Sequence, residues 1–542
     1  MDHADGFIFG ALGDERSRAD YVRKLTAGAT HRRRRSPRDP TPGEAVTVEL
    51  DAGPRMPAGE AWLELDGEGR QPLELASVDW DTLVWGYVRR FRGTIPGRSA
   101  GSIVRYRLGI GELVADEGQT HAYVVDEAHA PSWARDAVVY HVFVDRFYSG
   151  DEASWPAKGT GPAERYGGTL EGLRQRLDHL SELGADVLWL SPIHPSPSYH
   201  GYDATDLFDV SPALGTLADF DRLVADAHGR GIRVLLDFVP NHWSREHPTF
   251  VEAAADRASP YVDWYRFKRW PNSYESFFGH KPMPRINYAN AEARRHVLDA
   301  VRFWVERGAD GYRVDYALGP DEDFWADFRV ATEGVWTFGE VVETPATQLA
   351  FEGLLDGCLD FGLLEALRAT FAHGAWDGAR FTSFLDAHEQ YFPASFSRPS
   401  FLDNHDMNRF LWSAGGDVAR LKLAALCQFT LAGPPIVYYG TEVGLSQDED
   451  IRAGGLGGDR HARLPMLWGA DQDPELFAFY RSLVELRRTL GDAPRRTLQS
   501  DASRFAYERG DVVVSFDLES LTGSVTRDGV SLLPELESIP TA

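Results

Sequence analysis

Four short stretches of this chain set acidic or imidazole side chains at or just past the end of an apolar run. They read Asp237-Phe238-Val239-Pro240-Asn241-His242, Gly311-Tyr312-Arg313-Val314-Asp315, Phe338-Gly339-Glu340 and Asp403-Asn404-His405-Asp406. Carboxyls gathered beside an arginine suit nucleophilic and acid–base chemistry, with one acid ionised to attack and another protonated to donate. Arg313, two residues before Asp315, favours the anion there, while a neighbouring carboxylate and partial burial raise Glu340. Taken singly, an Asp after a strand is usually a cap or turn residue, and a lone His is usually structural. Independent caps do not explain three acids, an Arg and two His gathered at the strand tips of one fold.

Such tips need a scaffold that points them at one place. From about residue 132 onward, short apolar runs recur at 138–144, 187–190, 234–239, 311–314, 336–339, 358–361, 400–402 and 436–439. Amphipathic segments separate them; in one, Val297, Val301 and Trp304 repeat at helical spacing. Eight strand–helix units predict an α/β fold, a (β/α)8 TIM barrel over residues 129–490, in preference to a doubly wound sheet. Catalytic groups of a barrel lie at the C-terminal ends of its strands. Residues 242–290 hold Trp264, Tyr265, Trp270, Phe277 and Phe278 without a strand–helix unit. This stretch is too long for a plain loop, so an inserted subdomain after the third strand is expected.

Residues 1–128 alternate apolar and polar at 46–50 and 61–65, with further strands near 84–91 and 104–108. An N-terminal β-sandwich of a carbohydrate-binding type is expected there, and a short C-terminal β domain over 491–542. The run Arg32 to Arg35 reads as a solvated or partner-facing stretch, followed by a Pro-rich linker at 36–43.

Bulk properties exclude several classes. A chain of 542 residues suggests about three domains. Its formal charge of −26 repels phosphate backbones, so nucleic acid is not an expected partner. Cys358 and Cys427 alone make neither a disulfide framework nor a metal cluster. The start Met1-Asp2-His3-Ala4-Asp5 lacks a basic, then apolar, secretory pattern, and no apolar run is long enough to span a membrane. A cytoplasmic location is expected.

As a set and in their order, the four motifs resemble those of the α-amylase family of glycoside hydrolases, over about residues 132–490. The resemblance implies Asp315 as nucleophile, Glu340 as general acid/base and Asp406 as the carboxylate that stabilises the transition state. Arg313, His242 and His405 match positions that hold the sugar at the cleavage point. In Ser198-Tyr199-His200-Gly201-Tyr202-Asp203, Tyr202 matches the ring that stacks under that sugar, beside His200. Asp203 and Arg409 match a pair that in many relatives bridges and closes this end of the cleft.

The N-terminal β domain, Met283-Pro284-Arg285-Ile286-Asn287 and the barrel's opening residues, Asp136 to Tyr140 with Asp145-Arg146-Phe147, are similar to the neopullulanase, cyclomaltodextrinase and maltogenic amylase branch. The implied reaction is retaining hydrolysis of α-1,4, and in part α-1,6, glucosidic bonds in maltooligosaccharides, cyclodextrins, pullulan or starch. A homodimer is implied too, since in that branch the N-terminal domain often closes a partner's site. Two departures stand out. Tyr316-Ala317-Leu318-Gly319 lacks the Lys, His or Glu that relatives use near the acceptor, and Val341-Val342-Glu343 lacks a Trp-His pair. A transglycosylase or trehalose-forming isomerase is the alternative, and an inactive sugar-binding relative the third reading.

No metal is expected. Calcium is the alternative, since Asn241 matches a ligand position of some relatives and residues 145–151 offer oxygens. That stretch lacks their Asn-Gly-Asp, and Thr169 replaces a ligand Asp.

Overall fold

A computed structural model describes residues 15–127, 130–453 and 457–533. The signal-peptide reading of residues 1–5 lies outside them.

Eight parallel strands pair in one sheet: β1 (Val139–Val142), β2 (Val187–Leu190), β3 (Arg233–Phe238), β4 (Gly311–Val314), β5 (Trp336–Gly339), β6 (Gly357–Cys358), β7 (Ser400–Phe401) and β8 (Pro435–Tyr438). Sequence neighbours pair from β1 to β6 and from β7 to β8, and β8 returns to β1. Between β6 and β7 the ring closes by a bridge from Gly357 to Ser397 and by amides of Cys358 and Asp360 on the carbonyls of Ser397 and Pro399 (3.1 and 2.9 Å). Alternation sorts the side chains. Val139, Val187, Trp189, Leu235, Trp336, Phe338, Phe401 and Ile436 form one buried cluster, which fills the lumen. Their strand neighbours Tyr140, Leu188, Leu190, Leu236 and Phe238 join the larger core beneath the helices. In helix Ala291–Glu306, Asn290 caps the first turn and Val297, Val301 and Trp304 are buried.

After β3 the chain makes helix Pro248–Ala255 and a small hairpin, Phe267–Arg269 with Ser273–Tyr274. These form the inserted subdomain. Strands from 495 to 531 make a five-stranded antiparallel meander at the C-terminal end.

The N-terminal part is two five-stranded sheets around Val48, Leu50, Leu63, Tyr106 and Leu108. Helix Glu15–Ala27 precedes them, where no helix was expected, and strand Glu74–Asp81 adds an edge beside Gly86–Ile95. The basic run is a clamp inside the chain rather than a solvated stretch. Arg33 pairs with Glu322 (3.0 Å), and buried Arg35 donates to Glu352 O (3.1 Å). Local pattern could not show this, because the partners lie some three hundred residues away on the barrel.

His31 and His121 meet edge to face beside Glu322 and Asp116 in this interface. Burial opposes charge on both rings. On His121 the contacts with Glu322 and Asp116 win and raise its pKa to about 9, whereas His31 falls to about 3. A histidine raised on folding adds stability that is complete below about pH 6.5 and is lost as pH climbs through 9. His31 costs stability only as pH falls below about 6.5. The domain contact should therefore be tightest near pH 6.5. Protection of the interface amides, relative to their intrinsic exchange rate at each pH, should fall between pH 7 and 9.5, and His121→Gln should flatten that fall. An unchanged profile in the variant would exclude His121 as its source.

Candidate active site

Register brings the first groups together. Asp237 pairs opposite Arg313, Arg313 opposite Phe338, and Val314 opposite Gly339. Residues two apart on a strand share a side, so Asp315 continues the lumen series of Arg313, and Glu340 that of Phe338. The ladder runs one step past the strands: Asp315 N donates to Phe238 O and Glu340 N to Val314 O, both at 2.8 Å. The two acids stand level on neighbouring strands, which lie about 4.8 Å apart. A retaining glycosidase needs its two carboxyls roughly 5–5.5 Å apart, a gap that side chains level on neighbouring strands can span.

Arg313 is the hub. Its Nη1 lies 2.8 Å from Asp237 Oδ1 and 2.9 Å from Asp315 Oδ1, and its Nη2 lies 2.9 Å from Glu340 Oε1. The second oxygen of Glu340 accepts the amide of Tyr316 at 3.0 Å. Tyr316 holds a φ of 39°, a strained left-handed conformation for a residue with a side chain. Gly319, three residues on, could carry no side chain, because a Cβ there would stand 2.0 Å from Asn241 Oδ1.

Asp406 joins the hollow from the loop after β7. Its Oδ2 lies 3.1 Å from His405 Nε2 and its Oδ1 lies 2.8 Å from Arg463 Nη2. The His405 ring lies parallel to Tyr202 at 5.3 Å. Tyr202 donates to Asp237 Oδ2 (2.9 Å), with its hydroxyl 2.5 Å from His405 Nε2. Tyr202 and His200 also lie near parallel at 5.9 Å, and His200 Nδ1 accepts the Tyr202 amide. Buried His242 stacks on Phe277 at 4.6 Å, and its Nδ1 accepts from Asn241.

Burial raises the carboxyl of Asp315 well above the usual carboxylate range and that of Glu340 above it; Arg313 opposes both rises but does not by itself hold Asp315 ionised, as its place in the sequence had suggested. For Asp406, burial also favours the neutral acid, but His405 and Arg463 hold it well below the usual carboxylate range. The acids therefore titrate as a coupled set in which Asp406 ionises first. Burial lowers His242 to about 3 and His200 to about 4, so both rings are neutral donor–acceptors.

The expected Asp203–Arg409 pair does not form. Asp203 accepts from the hydroxyls of Ser196 (2.6 Å) and Ser198. Arg409 donates to the carbonyls of Ala462 (3.1 Å) and Tyr439 (2.9 Å) and lies over the Tyr438 ring. Arg409 thus braces the loop after β8, and Arg463 instead reaches Asp406. Sequence reading missed Arg463, Tyr199 and Asp237 as site residues. Asp237 stands in a quoted motif and was open to recognition, whereas no local pattern marks Arg463. His141 was also missed; it stacks on Trp189 at 3.6 Å, and a histidine inside an apolar strand was its signal.

The oxygens considered for calcium have protein partners. Asp145 accepts the amides of Tyr166 and Gly167 and contacts Arg146 (3.3 Å). Asn241 Oδ1 accepts from Arg285 Nε (3.2 Å), whose Nη2 donates to Gly319 O (2.5 Å). Thr169 caps a helix by accepting Gly172 N. Among the described residues no group of three or more His, Cys, Asp or Glu could hold a metal. The guanidinium of Arg285 lies on Asn241 Oδ1 and that of Arg146 on Asp145.

A barrel mouth with two level carboxyls on one arginine, and a third acid beside them, defines a (β/α)8 enzyme with the equipment of a glycoside hydrolase. The family model of the alpha amylase catalytic domain matches residues 141–478. The chain belongs to the α-amylase family. It is 42% identical to Alpha-amylase 2 of Dictyoglomus thermophilum over 67% of this chain and 65% of that protein. It is 35% identical to Neopullulanase 2 of Thermoactinomyces vulgaris over 70% of this chain and 68% of that one. A solved cyclomaltodextrinase superposes with a TM-score of 0.66, at 26% identity and 90% coverage of both chains.

Proposed function

We propose that this enzyme hydrolyses α-1,4-glucosidic bonds of maltooligosaccharides and related α-glucans, α-1,6 bonds included, with retention. The carrying observation is the level placement of Asp315 and Glu340 around Arg313. Asp315 attacks the anomeric carbon as Glu340 gives its proton to the leaving oxygen, and a glucosyl ester forms on Asp315. Glu340, now a base, takes a proton from water, which breaks the ester and restores both acids. Asp406, ionised throughout, opposes the positive charge of the oxocarbenium-like transition state. Product profiles on starch, pullulan, cyclodextrin and maltotriose test the reading, and release of the inverted anomer would overturn it.

A second reading, transfer to a sugar acceptor, is favoured by one feature. Phe277 and Phe278 lie 5.1 and 5.2 Å from the ring of Tyr316, whose amide holds Glu340. We read these rings as an aromatic wall on the leaving-group side, where an acceptor sugar would displace water. Maltose separates the readings: glucose alone marks hydrolysis, and a longer or new saccharide marks transfer.

The same proposal includes independence from calcium, since Arg285 supplies the cation. A chelator should leave both the melting temperature and the activity unchanged, and a fall in either that calcium restores would count against it.

The homodimer belongs here as well. Trp80, Trp85 and Tyr87 are 49%, 77% and 63% exposed on the N-terminal edge hairpin and touch edge to face. A second copy is the proposed cover for these rings. Sedimentation should give a dimer that Trp80→Ser with Trp85→Ser dissociates. A monomer that binds starch through these rings would assign the hairpin to sugar instead.

Two buried, unpaired cysteines support a cytoplasmic setting, which fractionation of the source cells tests. Among the described residues no helix is long and apolar enough to cross a membrane.

A further inference from the structure

We propose that Arg463, on the loop after β8, is the residue that positions Asp406. The inference rests on the transition-state role proposed for Asp406 above.

Arg463 is only 3% exposed, and each of its three nitrogens has a partner. Its Nε donates to His405 O at 2.7 Å, Nη1 donates to Tyr199 Oη at 2.9 Å, and Nη2 reaches Asp406 Oδ1 at 2.8 Å with Asp459 beside it. One guanidinium therefore ties together the loops after β2, β7 and β8. It grips the main chain of His405 and the side chain of Asp406 at once. Asp406 is also held from its other side, where Oδ2 meets His405 Nε2, and its own amide donates to Asn404. With both oxygens engaged and its backbone anchored, the carboxylate has one orientation.

The chemistry asks for that. A carboxylate that opposes a developing cation must be ionised and aimed before substrate arrives, because reorganisation during the reaction would consume the stabilisation. Burial works against an anion here, and a fixed cation answers it. A planar fork with separate donors holds two acceptors and a hydroxyl at defined angles; an ammonium on a flexible stem does not. Arg463 has no contact with the level pair Asp315 and Glu340; its partners are Asp406, His405, Tyr199 and Asp459, and the cycle below isolates the path through Asp406.

A brace with no catalytic consequence is the competing role, and a double-mutant cycle with Asp406→Asn separates the two. Arg463→Met should lower kcat on an aryl α-maltoside by on the order of 10²–10³-fold with little change in KM. Added guanidinium should restore part of the loss in Arg463→Ala. In the Asp406→Asn background, Arg463→Met should add little. A full further loss in that background, or an unchanged kcat in Arg463→Met, would overturn the proposal. Should Arg463→Met not fold, Arg463→Lys carries the same cycle, and its loss must vanish in the Asp406→Asn background. If Asp406→Asn itself turns over normally, the role of Asp406 has failed, and this proposal with it.

Discussion

Asp315→Asn should abolish turnover of unactivated α-glucans, by on the order of 10⁵–10⁶-fold, and should at the same time raise the melting temperature at pH 7. The first effect follows from chemistry, since an amide cannot form the glycosyl ester. The second follows from the site's electrostatics. Asp315 is a buried carboxyl whose proton affinity is raised, first by burial and then by Glu340, Asp237 and Asp406, against the pull of Arg313. A carboxyl raised on folding favours the native state below its unfolded pKa of about 3.9 and costs stability as pH rises above it. Asparagine mimics the protonated acid in shape, and its oxygen can still accept from Arg313. The gain in melting temperature should therefore be clear at pH 7 and vanish near pH 4. Turnover within tenfold of the parent would sink the assignment, and a lower melting temperature at pH 7 would sink the electrostatic argument.

Glu340→Gln should cost about 10²–10⁴-fold on maltotriose or starch, yet far less in the first step with α-maltosyl fluoride. Fluoride leaves without a proton, so the missing acid is not felt until water must be activated. The variant should release one burst of fluoride per site and then stall, with a maltosyl adduct on Asp315 detectable by mass. The amide of Tyr316 can still donate to the glutamine carbonyl, which keeps the side chain in place. Equal losses on both substrates would show that Glu340 does not supply the proton.

How far the sequence led depended on the range of each interaction. The strand tips were legible because alternation and parallel register are local rules. Once 311–314 and 336–339 are neighbouring strands, Asp315 and Glu340 must stand side by side. Asp406 needed one further step, since its strand, β7, is only two residues long, and its motif pointed to it more clearly than any periodicity. Arg409 was misread because its place next to the fourth motif suggested a cleft residue, whereas a short turn buries it against Tyr438 and Tyr439. Arg463 stayed hidden for the opposite reason, since only the folded path of the loop after β8 brings it to Asp406. The N-terminal helix, Glu15–Ala27, is rich in charged residues and carries little apolar signal. The basic run looked solvated because its acidic partners belong to another part of the chain.

The ring of strands is not uniformly sewn. Seven of its eight joins are hydrogen-bonded ladders, whereas the join from β6 to β7 is a clasp: an isolated bridge, made by Ser397 N on Asp356 O and Cys358 N on Ser397 O, with one flanking bond from Asp360 N to Pro399 O. A hoop under load parts at its clasp. The amides of Cys358 and Asp360 should exchange with solvent sooner than those at the β3–β4 ladder, and their lifetime gauges how long the hoop stays shut. Protein engineers seeking new chain ends, or a split enzyme that reassembles on command, should cut beside this clasp, where no continuous ladder has to be broken.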